Sequence, residues 1–442
     1  MSKQEQTIIE DFFSKTTQLP CEIFLTSSKV ASTRFSNNAI TQNVEEFTQG
    51  LSLRILDGVK TTRVSSNQFS RDQLDDLYYR AVKLNEFSHP DEELLPLYEH
   101  NQKNIETNHP DSGESSPGHR AELVSIVVDK AKSARLNAAG IISTTESKLT
   151  IANNRGLFKQ SRERQSNSSI SMMSDEGSGW SGICKVNLEA GDIEKCANKS
   201  ISLALKNTRQ SSIEPGEYTV ILEPAAVADL IRFLSYTGFN GLAFVEDRSF
   251  MSGKLDEKIM DEKITIFDDI HHLSLPLRTF DFEGVDTSSV TLIDQGIAKA
   301  VVHDRSTAFK TGGKTTGHSL PQPNNFGPIP RAVIIKGGSG DLQSLIKATA
   351  KGILVTRFHY TNLLDPLKVT ATGMTRDGLF LVEQGQITTA LKNMRFTESI
   401  LKAFNRISAI GNDHELFWGF SGYNYVPSMK IANFHFSSRT EF

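Results

Sequence analysis

No stretch of the 442 residues approaches the roughly 18 consecutive apolar positions that a membrane-spanning helix needs. Cysteine is scarce: Cys21, Cys184 and Cys196 are too few and too scattered for a disulfide framework or a cysteine-based zinc site. There is no excess of positive charge, since 48 Lys+Arg against 52 Asp+Glu leave 48 − 52 = −4. A nucleic-acid binder normally carries a basic stripe, so nucleic acid is not an expected partner, and neither is a membrane. The opening MSKQEQTIIEDFFSKTTQLP lacks the apolar segment and cleavage pattern of a signal peptide. The glycosylation triplets at Asn167 and Asn198 therefore carry no weight, and a reducing cytoplasm is the expected compartment.

Familiar catalytic motifs are missing too. His-Glu-x-x-His occurs nowhere, and His414-Glu415 runs on into Leu-Phe-Trp-Gly-Phe. The Gly312-Gly313-Lys314-Thr315 segment has Ala308 where a P-loop needs its first glycine, and Pro321 and Pro323 follow in place of a helix. Gly338-Ser339-Gly340 and Gly177-Ser178-Gly179 lack the outer glycines of a nucleophile elbow. Lys336 to Asp341 reads as a tight strand-to-helix turn with Asp341 near the N-cap. His271-His272 cannot aim both rings at one metal from a regular element and is expected to cap the turn after Asp268-Asp269.

What is present is a soluble globular composition, 38% hydrophobic and 23% charged, long enough for two or three domains. Ile8, Ile9, Phe12 and Phe13 form one helical stripe that Pro20 ends. Alternation at Cys21, Ile23, Leu25 and again at Leu51, Leu53, Ile55 predicts strands, with a hairpin signal at Asp57-Gly58. Ser70 then opens a helix carrying Leu74, Leu77 and Ala81, so the first ~85 residues read as two helices around about five strands. Residues 86–118 hold prolines and widely spaced histidines and read as an exposed linker. Helices near 119–134 and 191–207 bracket short strands between 138 and 186. Pro215-Gly216 opens a second half, richer in Gly and β-branched strands, with helices near 224–235, 341–350 and 397–407. The expected fold is α+β in two parts: an N-terminal helix and antiparallel-sheet region over 1–214 (sub-parts 1–85 and 119–214) and a β-rich domain over 215–442.

Five segments, in order and correctly spaced, resemble the TldD/PmbA (TldD/TldE) family, historically labelled as modulators of DNA gyrase. They are Arg34 to Gly58, Ser249 to Asp269, Phe280 to Ala308, Thr315 to Ser319 and Lys351 to Phe358. The resemblance implies a peptidase that cleaves small or unfolded peptides in processing precursors, and a chain that pairs with a second family member. In its TldD branch a His-Glu-x-x-x-His helix and a later cysteine bind zinc, while the glutamate activates water.

This sequence departs from that pattern at the decisive place. Counting back from Ser249-Phe250-Met251 puts Arg232 and Thr237 where the histidines would stand and Phe233 where the glutamate would. Arginine does not give up its proton to become a ligand, and no cysteine follows Cys196. The chain therefore resembles the metal-free PmbA/TldE branch, with no catalytic residue and no cofactor of its own expected. Zinc is expected only in a TldD-type partner. The implied function is that of a metal-free subunit of a metallopeptidase complex acting on small unfolded peptides; the alternative is a stand-alone homodimer that binds peptides or protein without catalysis. Asp281, Glu283, Gly317 and His318 lie in family-like motifs and are candidate channel or interface positions, with ordinary turn roles as the alternative reading.

Overall fold

The computed structural model describes residues 3–15, 18–100, 103–105, 113–419 and 422–440. The N-terminal half runs α1 (Lys3–Lys15), β1 (Cys21–Ser36), β2 (Ala39–Asp57), β3 (Lys60–Ser66), α2 (Arg71–Asn85), β4 (Lys103–Ile105), α3 (Pro117–Ser133), β5 (Asn137–Asn153), β6 (Phe158–Met173), β7 (Ser178–Lys185) and α4 (Ala190–Lys206). Before residue 85 there are three strands and not five, because β1 and β2 are unusually long. Asn37 and Asn38, both at positive φ, turn β1 into β2, and Gly58 turns β2 into β3. Ser70 caps α2 by accepting the Gln73 N–H, as expected.

The strands form one sheet in the order β3-β2-β1-β5-β6-β4, with β7 on β6. The two expected sub-parts are thus halves of a single sheet, joined where β1 pairs with β5. The connection between them is not wholly exposed, since Leu97 is buried. Odd-numbered β1 residues Cys21, Ile23 and Phe35 face the helices: α1 and α2 bury Ile9, Phe12, Leu74 and Leu77 at one end, and α3 and α4 bury Leu123, Val127, Ile193 and Ala197 at the other. The opposite face turns Phe24, Leu149 and Ile151 toward Phe280 of the C-terminal half.

That half contains β8 (Gly216–Leu222), α5 (Pro224–Thr237), α6 (Gly241–Val245), β9 (Ile266–Asp268), β10 (Val290–Asp294), β11 (Ile297–Ala298), α7 (Arg305–Thr311), β12 (Ala332–Ile335), α8 (Leu342–Lys347) and β13 (Lys351–Asp365). It ends with β14 (Thr370–Glu383), β15 (Gln386–Ala390), β16 (Met394–Ser399), α9 (Ile400–Phe404), β17 (Ile407–Ile410), β18 (Glu415–Gly419), β19 (Gly422–Val426) and β20 (Met429–Arg439). One sheet runs β11-β10-β9-β12-β19-β18; the other runs β13-β8-β20-β16-β14 and closes, because β14 also pairs with β13. Closure removes the free edges of those five strands. Helix α5 is packed between this barrel and the β18–β19 hairpin, its Val227, Leu230, Ile231 and Leu234 fully buried. The architecture is α+β. Among the described residues, no helix is long and apolar enough to cross a membrane.

Candidate functional site

Helix α5 begins at Pro224, whose missing N–H is harmless at a first helical position. Its N-cap residue, Glu223, is buried and held by Lys199 of α4 at 2.9 Å; the same ammonium reaches Glu415 of β18 at 3.2 Å. Three elements from both halves of the chain therefore meet at the helix start.

The side of α5 away from the core borders two cavities that share the helix and the strand β13. The first, about 300 Å³, takes Asp229 and Arg232 from α5, Arg357 to Thr361 from β13, Asn424 from β19, and Trp180 and Trp418. The second, about 500 Å³, takes Tyr236 and Thr237 from α5, Leu363 and Asp365 from β13, Pro366 and Leu367 from the connection after it, and Phe326. Positions 229, 232 and 236 repeat at helical spacing and so share a face. Large exposed apolar side chains stand along the two cavities, which together form a trench beside α5: Tyr360 and Trp418 at the first, Tyr236, Phe326 and Leu367 at the second. Large exposed apolar side chains gathered at one groove mark an interaction surface, whereas scattered ones do not.

Strand β13 is bent along the trench by irregular register against β14, between His359 and Asn362 among other places. Tyr360 sits at φ 53°, a left-handed conformation that a bulky residue rarely adopts, with its ring turned to solvent. Asp229 Oδ2 accepts the Phe358 N–H at 3.3 Å, and burial pushes its carboxyl up to about 6 against the opposing pull of Arg232. His359 is held below the usual imidazole range, first by burial and then by Arg376 and Arg357.

The sequence-derived positions fall as follows. Arg232 donates from Nη2 to the Thr361 hydroxyl and carbonyl. Phe233 is 9% exposed and belongs to the hydrophobic core. Thr237 donates its hydroxyl to the Phe233 carbonyl at 2.7 Å, inside its own helix. Asp281 accepts the N–H groups of Glu283, Val285 and Ser319, closing a turn, and its carboxyl is raised by burial against those three donors. Gly317 lies at φ 72°, where a Cβ would meet the Asp286 carbonyl oxygen at 2.3 Å. His318 is fully buried, with Nε2 2.8 Å from Asp268 Oδ1. Asp281, Glu283, Gly317 and His318 belong to loops around Phe280 and Asp286, which dock the second half onto the first sheet. They do not line the trench.

Glu283, buried beside Asp281, receives the Arg305 N–H at 3.1 Å. Burial and the Asp281 carboxylate push it up to about 7, against Arg305. A raised carboxyl contributes stability that is complete below the unfolded value of 4.5 and lost as pH rises through 7. Glu283→Gln should remove a decline of up to about 3 kcal/mol between these pH values, read from urea midpoints of both proteins. Parallel pH profiles for variant and parent would refute it.

Sequence models now place this architecture. The model of the PmbA/TldA metallopeptidase C-terminal domain matches residues 215–438, and that of PmbA/TldA metallopeptidase domain 1 matches residues 21–84. The chain belongs to the PmbA/TldA metallopeptidase family. A metalloprotease of Methanothermobacter thermautotrophicus is 24% identical over 319 residues, 68% of this chain and 69% of the relative. A TldD-homologous metalloprotease of Buchnera aphidicola from Acyrthosiphon pisum is 25% identical over 257 residues, which span about half of either chain (54% and 52%). The crystal structure of TldE from Thermococcus kodakarensis superposes with a TM-score of 0.86 at 20% identity, over 98% of this chain and 99% of that one, and so shares the fold.

The PmbA/TldA name implies a metal, and the side chains on α5 do not fit one. Arg232 is a cation with no lone pair to offer, Phe233 has no polar atom, and the Thr237 hydroxyl is turned into the helix. Among the described residues, no three His, Cys, Asp or Glu side chains gather as ligands would. The trench itself was missed from sequence. Asp229, His359 and Asn424 stand far apart along the chain, and only the tertiary packing of α5 brings them together.

Proposed function

We propose that this chain is the metal-free subunit of a PmbA/TldA peptidase complex, holding small unfolded peptides while a metal-bearing family member cleaves them. The observation that carries this reading is the chemistry of Arg232, Phe233 and Thr237, which stand where the resemblance places the metal-binding set: a cation, a core ring and a hydroxyl bonded within its own helix. The apolar-edged trench beside that helix supports a binding role: extended peptides offer varied side chains to an apolar surface and constant backbone groups to polar ones.

The test is gentle affinity purification from the native cell, followed by mass spectrometry and peptide-hydrolysis assays. A homologue bearing His-Glu-x-x-x-His should be recovered in about equal amount, and the isolated chain should leave unfolded peptides uncut. Chelator-sensitive cleavage that stays with the isolated chain through successive columns would overturn the proposal. Recovery as a self-dimer without a partner would overturn its complex and favour a stand-alone binding protein.

A further inference from the structure

The 300 Å³ cavity at the Arg232 end of the trench has unmatched hydrogen-bonding groups of both kinds. Asn424 is 4% exposed, and its Oδ1 has no partner among the described residues. A buried amide oxygen left without a donor is costly, so such an atom points to a group that arrives from outside. Across the cavity, Arg232 uses only Nη2 within the chain. Its Nη1 stands 3.9 Å from Asp229, beyond hydrogen-bond reach, and Nε has no acceptor among the described residues. Arg357 differs: Nε and Nη2 both engage Asp377, and its guanidinium lies 4.7 Å from the centre of the Trp180 ring. The Arg232 guanidinium, with two of its nitrogens unengaged, and the buried Asn424 side chain thus border one space walled by Trp180 and Trp418.

We propose that this cavity binds the C-terminal residue of a peptide, its carboxylate on Arg232 and its last amide N–H on the Asn424 side chain. Arg232 Nε and Nη1, the nitrogens not engaged by Thr361, are charged donors for a carboxylate oxygen. The N–H beside a terminal carboxylate supplies the donor that Asn424 lacks, and the terminal side chain lies between the indoles. The inference deepens the peptide-holding function proposed above and rests on it for the ligand class. It names the end of the peptide that is recognised and the residues that recognise it.

The test uses the full chain and its intrinsic fluorescence, since its two tryptophans both line this cavity. One unstructured peptide without tryptophan is prepared as the free acid, the C-terminal amide and the N-acetylated acid. Both acids should shift the emission and bind alike, while amidation should weaken binding roughly tenfold or more, the size of a charge-assisted hydrogen bond. Arg232→Gln, at a partly exposed position, should abolish the preference for acid over amide, and Asn424→Ala should weaken the acid with circular dichroism unchanged. Equal binding of acid and amide, an unchanged preference in Arg232→Gln, or no binding of any peptide would overturn the proposal. Loss of binding on N-acetylation would overturn it too, assigning the cavity to a peptide amine at Asp229. Failure to recover a metal-bearing partner would sink the complex and leave this result standing.

Discussion

The triple variant Arg232→His, Phe233→Glu, Thr237→His should lose about 3–5 kcal/mol of stability and gain no zinc-dependent turnover. Removing the Phe233 ring empties a core position, which alone costs about 3–5 kcal/mol when truncated to alanine. The glutamate then places a carboxylate in that apolar setting. Arg232, whose guanidinium lies 5.0 Å from the ring centre, is the cation closest in sequence, and the variant removes it. Arg232→His alone, on the trench side, should cost less than about 1 kcal/mol. Urea midpoints of the two proteins separate the contributions, and peptide hydrolysis with added zinc reads the function. A triple variant as stable as the parent, or one with robust chelator-sensitive turnover, would show a metal site far better preserved than the packing indicates.

Asp268→Ala should be comparably damaging at a point remote from the trench. Asp268 is fully buried; Oδ1 faces His318 Nε2, and Oδ2 accepts the N–H groups of Arg331 and Ala332 at 2.6 and 2.7 Å. Alanine leaves three buried groups without their acceptor, a loss of about 3–5 kcal/mol. Burial by itself would raise the Asp268 carboxyl, but His318 and the two backbone donors hold it below its ordinary value. A lowered carboxyl contributes stability that is present above the unfolded value of 3.8 and lost as pH falls through the native one. The gap between parent and variant should therefore be full at pH 7 and shrink below about pH 4. A gap that stays constant through that range would assign the damage to packing alone.

Local chemistry was legible wherever one residue type decides the backbone. Ser70 caps α2, Asp341 caps α8 through the Ser344 N–H, and Pro20 lies beyond the end of α1. At Asp268-Asp269 the turn is closed by the Asp269 carboxylate accepting the His271 N–H, so the aspartate does the capping expected of the histidine pair. Strand length was not legible. β6 runs unbroken through Ser-Arg-Glu-Arg-Gln-Ser-Asn-Ser-Ser, which shows no apolar alternation because both of its faces meet polar partners. Lys159, Glu163 and Gln165 reach Asp286, Arg331 and Tyr423 across to the second half, while Gln160 and Arg164 bond Thr150 and Glu146 on the other side. Amphipathic pattern reading looks for apolar contrast, and a strand buried under hydrogen bonds offers none. The substituted positions at 232, 233 and 237 could be read from spacing within the resemblance, but their neighbours across the trench could not.

Trp180 comes from β7 of the first sheet, while the rest of its cavity is built by the second half. The Lys199 ion pairs and the Arg357–Asp377 pair, to which Ser178 of β7 donates, fasten that wall in place. The cavity is therefore a measuring gap between two bodies: its width is set by how squarely one sheet sits on the other. A shift of the first sheet, however distant its origin, would change the bore at Trp180 without altering a single residue of α5.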